Sequence, residues 1–354
     1  MPRAPSPLLY VDHVVGAGVS VAVSTTSLQF AYTLGNNLPD GLPVQIANGG
    51  SGVLSWAASS GAPWVSLSPA SGAAPATLAV SVLPANLAAG TYTASVQISA
   101  SGTSGSPTSV GVTLAVQAPA PVFTVALSTA GQVEPFAAQS IVSAYGTNLA
   151  TGTASAASLP LPTSLDDTTV TVTDSAGVAR LAALFYVSPL QVNFEIPTGT
   201  ATGTASVGIQ NQNGTTQSST IQIGSVSPGL FALTGSGLVA AWVLQVISGT
   251  QQSLQPVYQI ISGSVLPLPI SLGTSTEQVY LEMYGTGIRN AKTVTAAVGG
   301  ANVPVLYAGA APGYAVEDQV NIGPLPFALA GQGNVSIILT ADGQSANTVN
   351  VTIQ

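Results

Sequence analysis

The chain has 354 residues, of which 46% are hydrophobic and only 5% charged, with four basic and twelve acidic side chains giving a net charge of −8. Ordinary globular chains are about a quarter charged, so this composition, rich in β-branched residues, Gly and Pro, describes a folded all-β protein with a Ser/Thr/Gln/Asn surface. It excludes nucleic-acid binding, which needs clustered Lys and Arg, and attraction to anionic lipid. The lack of cysteine excludes disulfides and thiolate metal sites.

The first element is an arm over residues 1–18, "MPRAPSPLLYVDHVVGAG". It has one Arg and no continuous apolar core, so it does not read as a signal peptide. Leu8, Leu9, Tyr10, Val11, Val14 and Val15 make it too apolar to stay solvated and too short to build a core. Eleven extended residues would span about 35 Å, the length of a sandwich edge. The arm is therefore expected to add as a strand to a neighbouring copy, with the fold-back onto its own module as the other reading.

From residue 19 to 117, period-two runs recur between turn signals: "VSVAVS", "LQFAYT", "LPVQIAN", "GVLSWAAS", "WVSLSP", "TLAVSVL", "GTYTASVQIS" and "TSVGVTLAVQ". Strands at this spacing make a sandwich or barrel. Pro69–Gly72 reads as a turn. Trp64, at the mouth of a strand, is either a core plug packed with Leu67, Tyr92 and Val96 or part of a sugar platform with Trp56 and Trp242. "APAPVF", 118–123, is a stiff linker.

The rest divides into two copies, 122–225 and 226–354. "AYGTNLA" (144–150) returns as "MYGTGIR" (283–289), and Gln191-Val192-Asn193 returns as Gln319-Val320-Asn321. Tyr145, Val192 and Phe194 are expected in one core, and Tyr284, Val320 and Ile322 in the other. The fold expected is thus three tandem immunoglobulin-like β-sandwiches. The longest apolar runs, 237–247 and 181–187, fall well short of the ~18 residues that cross a membrane as a helix.

Two stretches resemble known families. "WVSLSPASGAAPATLAVSVLPANLAAGTYTASVQIS" (64–99) resembles the BACON-type immunoglobulin-like domain. "VSAYGTNLA", "LPLPTSLDDTTVTV", "LFYVSPLQVNFEIP", "SPGLFAL", "VYLEMYGTGIR", "VPVLYAGAAPGYAVEDQVNI" and "SANTVNVTIQ" resemble the uncharacterised C-terminal region of secreted acidobacterial proteins. The resemblances imply an extracellular or cell-surface bacterial protein, a carbohydrate-binding role for the first domain, and no assigned chemistry for the rest.

Catalytic material is sparse. The only histidine, His13, lies on the arm, where no packed triad can hold it. Asp166–Asp167 and Glu317–Asp318 are adjacent pairs, and neighbours in a strand point to opposite faces, so neither makes a two-carboxylate site alone. Asp318 reads either as a cap on backbone N–H groups or as a metal ligand. No enzyme activity, cofactor or metal site is expected. Two functions remain: a filament or sheath subunit whose partners are other copies of itself, joined through the arm, or an adhesive module that binds surface polysaccharide.

Overall fold

The computed structural model describes residues 18–103, 105–131, 134–216, 219–247, 251–274 and 276–354. His13 and the expected interface residues Leu8, Leu9, Tyr10, Val11, Val14 and Val15 lie outside them. The regular structure of the described residues is all strand apart from one short 3-10 turn at Phe327–Leu329. It forms three immunoglobulin-like β-sandwiches held in two compact units, one ending at Pro119 and one running Ala120–Gln354.

In the first unit, one sheet runs in the order Val21–Val23, Leu42–Asn48, Ala76–Val82, Val65–Ser68. The facing sheet runs Ser27–Thr33, Thr108–Gln117, Gly90–Ser99, Ser55–Ser60, Ser71–Ala73, its first pair parallel. Alternation decides the inner face: Leu78, Val80 and Val82 point inward, and their neighbours face out. The turn expected at 69–72 is partly an edge strand, because Ser71–Ala73 pairs with Ser55–Ala57.

The second unit carries two hydrophobic cores, one around Phe136, Leu184 and Phe194, the other around Leu281, Met283 and Ile337. The two sandwiches are built alike. Val122–Ser128, Ile141–Thr147, Gln191–Glu195 and Leu184–Val187 pair in the same order as Ala241–Ile247, Gln278–Thr286, Asp318–Ile322 and Val305–Ala310. Even the register repeats: Tyr145 faces Gln191 and Tyr284 faces Gln319. A bulge falls at the same place in each, beside Tyr186 and Tyr307. Gln191 donates to Asn193 at 2.7 Å, and Gln319 to Asn321 at 2.9 Å.

The repeated Tyr-Gly-Thr has a physical cause. A Cβ at Gly146 would collide with the Val122 carbonyl, and one at Gly285 with the Gly229 carbonyl. Each glycine lets a neighbouring strand approach. In the second copy the motif also joins the sandwiches. Thr286, fully buried, accepts the Ile141 N–H at 2.8 Å, and Asn290 donates to the Ala138 carbonyl at 3.0 Å.

Two core expectations need correction. Tyr145 and Tyr284 are half-buried and outside the cores. Val279, Leu281 and Met283 already take the inward positions of their strand, so Tyr280, Glu282 and Tyr284 must face out. Val192, Phe194, Val320 and Ile322 do fill the cores.

Candidate aromatic cleft in the third sandwich

The three tryptophans do not form one platform. Trp56 and Trp64 are buried in the first core, 3% and 8% exposed. Trp64 meets Tyr92 edge-to-face at 6.4 Å, with Val96 and the half-buried Leu67 in the same cluster. Trp56 packs beneath Gly72, where a Cβ would stand 3.4 Å from its ring. Both are core side chains, the first of the two readings given for Trp64, and neither presents a face to a ligand.

Trp242 is different. It is 37% exposed, on the outer face of the strand Ala241–Ile247, because Ala241 and Val243 take the inward positions. With Phe231, Leu233, Tyr258, Tyr284, Tyr314 and Glu317 it lines a cavity of about 320 Å³. Tyr284 packs edge-to-face on Tyr314 at 5.5 Å and donates to Glu282 at 2.5 Å. Aromatic faces with a few convergent polar groups are the usual lining of a small-molecule site.

The wall that carries Tyr314 and Glu317 is the segment 311–317. Val316 sits at φ 63°, a conformation that costs a β-branched residue about 1–3 kcal/mol and persists only where its surroundings impose it. They do. Asp318, fully buried, pairs with Arg289 at 2.5 Å and accepts the N–H groups of Ile288 and Arg289 at 2.6 and 3.1 Å. Arg289 also donates to the Glu317 carbonyl at 2.7 Å. Asp318 thus caps a turn, the first of its two readings, and fixes the base of the cleft wall. Among the described residues, no three His, Cys, Asp or Glu side chains gather into a metal-binding group.

Burial pushes the Glu317 carboxyl up from its ordinary value. Burial also raises the Tyr284 hydroxyl, and the bond to Glu282 raises it further. The other carboxylate pair does not converge on a site: Asp167 accepts from Gln212 at 2.5 Å, while Asp166 lies against Gly152. Among the described residues, no helix is long and apolar enough to cross a membrane.

No family model matches this chain, and no curated protein matches it. Solved structures resemble it distantly. A Bacteroides ovatus mixed-linkage glucan utilization locus protein, SGBP-B, in complex with a mixed-linkage heptasaccharide, is 13% identical, over 92% of this chain and 68% of that one, with a TM-score of 0.29. Mouse cadherin-23 EC22–24 is 11% identical, over 95% and 98%, at 0.26. Domains 5–6 of the S-layer protein SbsC are 14% identical, over 59% and 98%, at 0.20. At this level of superposition none of them bears on the chemistry of the cleft.

Proposed function

We propose that this chain is a non-enzymatic protein of the bacterial cell exterior that binds polysaccharide through the aromatic cleft of its third sandwich. The observation that carries the reading is the convergence of Trp242, Tyr258, Tyr284 and Tyr314 beside Glu317. Pyranose rings offer apolar C–H faces to aromatic rings, and their hydroxyls donate to carboxylates, which only accept when ionised. The same reading takes the first sandwich as a BACON-type domain and the tandem as the region of secreted acidobacterial proteins. Its support there is the motifs quoted above.

The test is an array of neutral polysaccharides (a β-glucan, a mannan, a xylan and a galactan) with polygalacturonate and heparin as anionic members. Retention of a neutral polysaccharide is expected, weakened about tenfold by Trp242→Ala with the melting curve unchanged. No retention, or retention indifferent to Trp242→Ala, sinks the reading. Release of reducing sugar on incubation sinks the non-enzymatic part.

Self-assembly through the arm is a second reading. The observation in its favour is that Val65–Ser68 ends its sheet with one pairing neighbour, the kind of edge that accepts an added strand. Deleting residues 1–18 should then shorten or abolish filaments seen by negative-stain microscopy. Filaments of normal length after the deletion remove the arm as linker.

A further inference from the structure

The cleft does not stop at Tyr284. Glu282, bonded to the Tyr284 hydroxyl, also lines a second cavity of about 350 Å³, together with Leu244, Tyr280, Leu306, Tyr307 and Asn321. Sheet register puts these groups in rows. Trp242 faces Glu282, Glu282 faces Asn321, and Asn321 faces Tyr307. One row therefore crosses four strands, about 14 Å at three strand spacings. Leu244 faces Tyr280 in the next row.

We infer that the two cavities form one groove across the outer face of this sheet, built to hold several successive sugars of a neutral polysaccharide. The inference rests on the cleft reading above and extends it in length and in charge. One sugar ring cannot cover both cavities, so a ligand that uses both is an oligomer.

Charge selects its class. Among the described residues, the carboxylates lining the two cavities are Glu282 and Glu317, and no Lys or Arg lines either. The nearby Arg289 is taken up by Asp318 and the Glu317 carbonyl. The whole chain has four basic residues against twelve acidic ones. Uronate or sulfate groups would meet like charge without a counter-ion, whereas neutral hydroxyls find acceptors.

The rings are also set in advance. Tyr280 donates to Gln278 at 2.8 Å, Tyr307 to the Ala310 carbonyl at 2.6 Å, and Gln319 to Asn321 at 2.9 Å. Tyr307 lies over Gly309, where a Cβ would come within 2.9 Å of its hydroxyl. The bulge at Leu306 puts Leu306 and Tyr307 together on the outer side, 60% and 40% exposed. Groups already held in place lose little freedom when a ligand arrives.

The test is calorimetry with the disaccharide and the hexasaccharide of whichever neutral polysaccharide the array retains. The hexasaccharide should bind at least about tenfold more tightly, the worth of one further stacked ring. Tyr307→Ala should remove that gain and leave the disaccharide affinity within about twofold. Trp242→Ala should weaken both. Equal affinity for the two lengths, or a Tyr307→Ala loss that is the same for both, overturns the groove while leaving the cleft standing. Loss of all binding in the unaltered protein overturns the cleft itself. If Tyr307→Ala instead changes the oligomeric state by sedimentation and not the glycan affinity, the face belongs to a second copy, and the groove is again overturned.

Discussion

The second and third sandwiches are the same scaffold with different outer surfaces. Strand order, register, bulge and the close-approach glycine are held in common. Where the third has Trp242 and Glu282 on facing strands, the second has Leu127 and Ser143. Where the third has the segment 311–317 between strands, the second turns in 188–190. In the second, the strand Val122–Ser128 runs past Gly146 and on to Tyr145 through a bulge. In the third the chain leaves after Leu230, makes the segment 231–240 that carries Phe231, and returns at Ala241. Inward residues that build the core are under the same packing constraint in both copies. Outward residues and loops are free to differ, and the cleft is made of them.

The largest expected break in this comparison is at Arg289, whose counterpart in the second sandwich is Ala150. Asp318 corresponds to Leu190, 63% exposed and uncharged. Arg289→Ala leaves a buried carboxylate without its partner and should cost about 3–5 kcal/mol in denaturant unfolding, and it should loosen Glu317. Leu190→Ala, at the matching place, should stay within about 0.5 kcal/mol. A small Arg289→Ala cost would mean that the ion pair does not hold the cleft wall.

Next come the two glycines. Gly146→Ala and Gly285→Ala each drive a methyl into a facing carbonyl, and each should cost about 1–3 kcal/mol. Similar costs sharpen the claim of one scaffold. A tolerated substitution in one copy only would show that the strands there separate easily.

The smallest effect concerns acid. In the second sandwich the turn after Thr173 is tied by Asp174, which accepts the N–H groups of Val178 and Ala201 and pairs with Arg180 at 2.6 Å. The third makes that turn with Gly299 and Gly300. These bonds, the Val178 and Ala201 N–H groups first, lower the Asp174 carboxyl from 3.8 to about 2. A depressed folded value means that its contribution is present above the ordinary value and is lost as pH falls from about 4 to about 2. Asp174→Asn should flatten melting temperature against pH in that window. An unchanged acid slope would remove Asp174 as its source.

Much of the scaffold was legible in sequence. The alternating runs of 19–117 coincide with strands, and the repeated Gln-Val-Asn marks a core strand in each copy. Tyr145 and Tyr284 read as core from the repeated Tyr-Gly-Thr, an aromatic strand end set against a Gly turn. Counting alternation from Met283 would have put Tyr284 outside. The cleft was mostly illegible. Trp242 stood out as one of three tryptophans, but Phe231, Tyr258 and Tyr314 come from separate segments that only the folded chain brings together. One signal was available: the places where the copies disagree, "AGAAPGYAVED" against "VSPL".

The most direct measurement gives the third sandwich the second one's residues at the two facing positions. Trp242→Leu with Glu282→Ser copies Leu127 and Ser143 onto a register already shown to accept them. Calorimetry against the neutral polysaccharide retained by the unaltered protein, beside a melting curve, reads both consequences. Binding should fall by about tenfold or more, with the melting temperature held. Undiminished binding would contradict the account, because the outer surface that distinguishes the two copies would then have no part in recognition.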